Sequence, residues 1–130
     1  LHRFSKKINV TESLAKPDNI IKEITEAIVD SKGVDINLMD IRKVDGSVCD
    51  YFIVCQGSSN VHVSSIASNV ERKVSKSSKE KPFSVEGLSN SQWVILDYVN
   101  VVVHIFQEPY RAFYDIENLW GNRESESIST

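Results

Sequence analysis

The chain has 130 residues, 41% hydrophobic and 25% charged, a balance that fits one globular domain able to bury a core without disulfide or metal staples. Collagen, a coiled coil and wholesale disorder are excluded, and no apolar run approaches the roughly 20 residues that span a bilayer. Fifteen Lys and Arg against eighteen Asp and Glu give a net charge of −3, so a phosphate backbone is not expected as the principal ligand.

Residues 1–16 show little periodicity and are expected to form an N-terminal arm. Its basic residues Arg3, Lys6 and Lys7 precede no apolar stretch, so no secretory signal is expected. Pro17 suits the first turn of a helix. Ile20, Ile21, Ile24, Ile28 and Val29 then recur at helical spacing, and Gly33 is expected to stop the helix. Ile36 to Ile41 reads as a first strand and Asp45-Gly46 as a turn. Tyr51 to Cys55 reads as a second strand, apolar on both faces and therefore interior to a sheet. Cys49 and Cys55 flank its apolar run. A continuous strand would hold them roughly 20 Å apart, beyond the reach of a disulfide, so reduced thiols and a cytoplasmic location are expected.

Gly57-Ser58-Ser59-Asn60 breaks that strand and offers an N-cap to a second helix, whose buried stripe is Val63, Ile66, Ala67, Val70 and Val74. Pro82 prevents its continuation. A short strand from Phe83 to Glu86 precedes Gly87 and a polar loop. Trp93 to Tyr98 and Val101 to Gln107 then read as an antiparallel hairpin around Val99-Asn100, an unusual pair where Asn-Gly is favoured. Pro109 opens a last helix with the stripe Phe113, Ile116, Leu119 and Trp120, closed by Gly121, and residues 122–130 read as a flexible polar tail. The domain spans residues 17–121. Interleaved helices and strands with a close hairpin predict a single α/β (α+β) domain built on a mixed sheet.

Catalytic constellations are not expected. The Gly57–Asn60 loop has one glycine and lacks the Gly-Lys-Ser/Thr signature of a phosphate cradle, so it reads first as a capped turn. A nucleotide-transferring enzyme using that loop is the competing hypothesis. His62 and the two cysteines lack zinc-ligand spacing, no Gly-x-Ser-x-Gly elbow exists, and no cofactor is expected. His104, alternating with Val102 and Phe106, reads as a partly buried histidine with a hydrogen-bond partner. Arg72, Lys73, Lys76, Lys79 and Lys81 form a basic stretch opposed by Glu71 and Glu80. It reads first as a solvated helix end and second as an incidental RNA contact. The hairpin is the stronger candidate surface. Trp93, Asp97, Tyr98, His104, Gln107 and Glu108 cluster on or beside it, and Trp and Tyr are frequent interface anchors. Trp93, Ile95 and Asp97 should share one face, with Val94, Leu96 and Tyr98 on the other. Trp93 reads equally as an anchor or as a cap on the core edge.

The ordered set Asp40-Ile41-Arg42, Cys49-Asp50-Tyr51-Phe52, Gly57-Ser58-Ser59-Asn60, Val85-Glu86-Gly87-Leu88, Trp93 to Tyr98, Val101 to Gln107, and Arg111 through Tyr114-Asp115 to Leu119-Trp120-Gly121 resembles the Iojap family, the ribosomal silencing factors. The resemblance runs from about residue 18 to 121. It implies a nucleotidyltransferase-like fold without nucleotide-transfer activity. It also implies binding to ribosomal protein L-fourteen, a block on subunit joining and repression of translation. Organellar relatives imply a role in large-subunit assembly, and crystallised members imply a homodimer. The family's partner surface around its tryptophan strand falls here on Trp93, Asp97, Tyr98 and Glu108. This chain departs from the pattern at Val61, where many members have Arg, at Ser68, where many have Asp, and at Val99, where Gly is common.

Overall fold

The computed structural model describes residues 19–47, 49–120 and 125–128. The expected N-terminal arm, Pro17 and Gly121 lie outside them.

Helix α1 (Asn19–Asp30) buries Ile21, Ile24, Ala27 and Ile28, and its buried Thr25 hydroxyl donates to the Ile21 carbonyl at 3.0 Å. Val29 falls off the stripe and is 38% exposed, contrary to the periodicity reading. The helix closes with Lys32 in the left-handed region, the Lys32 N–H on Val29 and the Gly33 N–H on Ile28 at 2.8 Å. The left-handed residue of the stop is thus Lys32, one position before the expected glycine.

The strands are β1 (Val34–Asp40), β2 (Tyr51–Gly57), β3 (Ser84–Glu86), β4 (Trp93–Asp97), β5 (Val101–Gln107) and β6 (Ser125–Ser127). They form one sheet in the order β3-β4-β5-β2-β1-β6, parallel between β2 and β5 and antiparallel elsewhere. Central β2 buries Phe52, Ile53, Val54 and Cys55, as a strand covered on both faces must. Cys49 lies ahead of β2 rather than within it. Both thiols are free and buried, Cys55 in the core under α1 and α2 and Cys49 in the core on the opposite face.

Helix α2 (Asn60–Ser78) starts at Ser59, whose Oγ accepts the His62 N–H at 3.1 Å, and ends at left-handed Lys79, three residues before Pro82. Its stripe Val63, Ile66, Ala67, Val70 and Val74 packs with α1 against Ile36, Leu38, Ile53, Val94, Leu96, Val103 and Ile105. On the other face, Met39, Phe52, Val54, Val102 and Phe106 are covered by Ile116 and Trp120. That cover is two short helices, α3 (Glu108–Tyr114) and α4 (Ile116–Leu119), instead of one. Asp115 adopts φ 48° between them and turns the axis, so the expected stripe fails. Ile116 is buried, whereas Phe113 and Leu119 are 76% and 75% exposed.

The expected tail also contains structure. Residues 125–127 pair antiparallel with β1, and Ile128 is buried with its N–H on the Ile36 carbonyl at 3.0 Å. The unpaired edge of β1 supplies hydrogen bonds, and Ile128 supplies an apolar anchor. The result is a single α+β domain with a mixed sheet. Two long helices cover one face; on the other, α3 reaches the β3–β4 edge only through Tyr114, which lies against Trp93.

Candidate partner-binding face

Strand alternation builds this face. Val94 and Leu96 point into the helix-side core, so Trp93, Ile95 and Asp97 occupy the open side, each half-buried. Register sets Trp93 beside Phe106, Ile95 beside His104 and Asp97 beside Val102. On the outer side, Glu86 pairs with Ile95 and Ser84 with Asp97.

The Trp93 indole stacks on Phe106 at 5.0 Å, and its Nε1–H donates to His104 Nδ1 at 3.1 Å. Tyr114 lies 4.7 Å from Trp93, and Phe113 meets Tyr114 edge-on at 5.0 Å. Trp93, Tyr114 and Phe113 therefore form a graded aromatic surface, increasingly exposed away from the sheet. His104 sits behind it, 6% exposed and edge-on to Phe52 at 4.5 Å. Burial lowers its pKa to about 4, against an opposing pull from Glu117. The ring is neutral at physiological pH, and because Nδ1 accepts, the proton resides on Nε2.

The ion pair of Arg111 with Glu117 supports the aromatic surface from below. Arg111 donates from Nε and Nη2 to the two carboxylate oxygens at 3.0 and 2.8 Å, and from Nη1 to the Asp35 carbonyl at 2.8 Å. Asn37 adds a bond to Glu117 at 2.9 Å. Burial pushes the Glu117 carboxyl up, but the hydrogen bonds from Arg111 and Asn37 outweigh it and hold the group below its ordinary value. The cluster ties the α3–α4 turn to β1 and so fixes Tyr114 against Trp93.

The six expected site residues are only partly brought together. Trp93 and His104 touch, and Asp97 shares their face, its Oδ1 accepting the Val99 N–H at 2.7 Å. Gln107, half-buried, closes β5 with its N–H on the Gln92 carbonyl, and exposed Glu108 begins α3 at the Trp93 end of the sheet. Tyr98 lies on the opposite face, 6% exposed in the helix-side core, and burial pushes its hydroxyl pKa up. It does not form one surface with Trp93. Ile95, Glu86, Phe113 and Tyr114 complete the face. Ile95 and Glu86 follow from strand alternation and pairing, whereas Phe113 carried the pattern of a core residue.

The Gly57–Asn60 loop uses its polar groups internally. Ser58 N–H bonds His62 Nδ1 at 2.9 Å, Val61 N–H bonds Asn60 Oδ1 at 2.9 Å, and His62 Nε2 reaches the Ser31 carbonyl at 2.7 Å. Among the described residues, no group of three or more His, Cys, Asp or Glu side chains could hold a metal ion, and no helix is long and apolar enough to cross a membrane.

A family model described as ribosomal silencing factor during starvation matches residues 14–130. The ribosomal silencing factor RsfS of Bacillus subtilis is 32% identical over 104 residues, covering 80% of this chain and 86% of that protein. The RsfS of Chromobacterium violaceum is 37% identical over 105 residues, covering 81% and 84%. The chloroplastic Iojap protein of Zea mays is 32% identical over 99 residues, 76% of this chain and 42% of that one. A crystal structure of a protein from Chromobacterium violaceum superposes with a TM-score of 0.77 at 34% identity, covering 89% of this chain and 95% of that chain.

Proposed function

The chain belongs to the RsfS family, the ribosomal silencing factors, and from that premise we propose that it docks through its open sheet face on ribosomal protein L-fourteen of the large subunit. Once docked, it excludes the small subunit by steric overlap and represses translation without catalysing a reaction. Trp93, Ile95, Tyr114 and Phe113 are the apolar anchors, and Glu86, Asp97 and Glu108 pair with basic side chains of the partner. The assignment implies work in the cytoplasm.

The observation that carries this reading is the outer β3–β4 part of the sheet, where half-buried Trp93, flanked by Tyr114, is locked by His104 and rimmed by carboxylates. Pre-organisation of that kind reduces the ordering cost of binding. A basic protein surface fits the carboxylate rim.

The test is subunit joining. Purified large and small subunits are mixed with and without the protein and sedimented through sucrose. The expected result is a shift from joined ribosomes to separate subunits that saturates with protein. Undiminished joining at saturating protein would overturn the proposal.

A further inference from the structure

Across the sheet from Trp93, the second half of α2 carries Arg72 and Lys76 at i and i+4, on one stripe of helix surface; Lys79 is the left-handed residue that closes the helix, and Lys81 follows in the loop to β3. All four are exposed. Their neighbour Lys73 is engaged by Glu26 at 3.3 Å, but none of these four has a carboxylate partner among the described residues. Arg72 is oriented by a hydrogen bond to the Asn69 side-chain oxygen.

Between α2 and that loop runs an open groove of about 610 Å³. Ser68, Arg72 and Ser75 line its helix wall and Lys81 its loop wall, with Glu71 the one carboxylate in the lining. Phe83, on the loop wall's own segment, is 79% exposed, and its ring contacts no other aromatic among the described residues. Its backbone is nonetheless fixed, with the N–H on the Asp97 carbonyl at 2.6 Å.

We propose that this groove binds unpaired RNA. The cations take backbone phosphates, the Ser68 and Ser75 hydroxyls bond phosphate or ribose oxygens, and an unpaired base stacks on Phe83. A chain of net charge −3 that lines one groove with Arg72, Lys81 and two serine hydroxyls, and carries Lys76, Lys79 and an exposed aromatic ring on the same two segments, has concentrated the elements of single-strand recognition there. An anionic membrane fits less well, because the exposed residues interleaved with the cations are Ser77 and Glu80, which leaves Phe83 as a single apolar side chain beside them and no apolar helix face to insert. The groove and the Trp93 face lie on opposite sides of the sheet, so this site does not depend on the proposed docking.

Fluorescence anisotropy of the full chain with a labelled single-stranded RNA of about 12 nucleotides, across roughly 50 to 200 mM salt, tests it. The expected log–log salt slope is about −2 to −3, for four phosphate contacts on a single strand. Arg72→Glu with Lys81→Glu should cost at least about tenfold and flatten the slope. Phe83→Ala should cost roughly tenfold and leave the slope unchanged. All three positions are exposed, and thermal melts confirm folding. Four results would overturn the proposal. They are absence of RNA binding at low salt, equal affinity for a duplex of the same sequence, insensitivity to these substitutions, and binding to phosphatidylglycerol vesicles in place of RNA.

Discussion

Trp93 and His104 are joined across β4 and β5 by a 3.1 Å hydrogen bond from the indole Nε1–H to the imidazole Nδ1. This bond ties the outermost part of the open face to a residue that is itself almost fully buried. It gives Trp93 the role of a cap on the core edge and leaves part of its ring free for the proposed docking. One side of the indole stacks on the core, and the remainder is offered to solvent.

A pH dependence follows for His104. Its pKa is about 4 in the fold against 6.5 in a free chain. Between those values the unfolded chain binds a proton that the folded chain refuses. Stability is therefore full above pH 6.5 and falls as the pH drops towards 4, by on the order of 3 kcal/mol. Asp40 and Glu117 have carboxyls that burial pushes up and that hydrogen bonds from Arg42 and Arg111 pull down further, below 3.8 and 4.5. Their contributions are lost only at lower pH. Urea midpoints should thus fall between pH 6.5 and 4.5 in the wild type and stay flat in His104→Gln. An unchanged slope in that variant would contradict the assignment.

Trp93→Phe keeps a ring against Phe106 and Tyr114 but deletes the N–H, leaving His104 Nδ1 buried without its donor. The expected loss is about 1–2 kcal/mol, read from urea unfolding followed by circular dichroism. A loss near zero would mean that the bond contributes nothing.

Gly87→Ala tests how the aromatic edge is positioned. Gly87 has φ +93°, and a Cβ there would stand 2.0 Å from the Trp93 carbonyl oxygen, a backbone atom that cannot swing aside. The substitution should destabilise by about 2 kcal/mol or more and displace the start of β4. The melting temperature and the Trp93 indole NMR resonance would report the two effects separately.

Val99 is the opposite case. A β-branched residue holds φ 76° at the hairpin turn, 59% exposed, with its N–H on Asp97. Val99→Gly should relieve the left-handed strain and raise stability by about 1 kcal/mol, net of the added freedom of the unfolded chain. A fall in the melting temperature would show that the Val99 side chain packs where it stands.

The elements whose periods stay regular are legible from sequence. The α2 stripe, the two-faced burial of β2, the mixed character of the sheet and the alternation of β4 all follow from apolar spacing, aided by the turns, whereas the parallel pairing of β2 with β5 does not. Asp115 hides the rest locally. One left-handed residue splits a helical pattern in two and turns Phe113 from core to surface. β6 is hidden for another reason, since three polar residues become a strand only because β1 presents an open edge. The Arg111–Glu117–Asn37 cluster joins residues up to 80 positions apart, and no local pattern announces it. Tyr98 shows the limit of clustering in sequence, because it neighbours Asp97 in the chain and faces the other side of the sheet.

The most direct test of the docking face is binding to isolated large subunits by cosedimentation, comparing the wild type with Trp93→Ala and with Glu86→Lys combined with Glu108→Lys. Both glutamates are exposed, so the double variant should melt within about 0.5 kcal/mol of wild type. Trp93→Ala, checked for folding by circular dichroism, should weaken binding by about 2 kcal/mol or more, and the double variant should weaken it chiefly through slower association. Wild-type binding by both folded variants would contradict the assignment of this face.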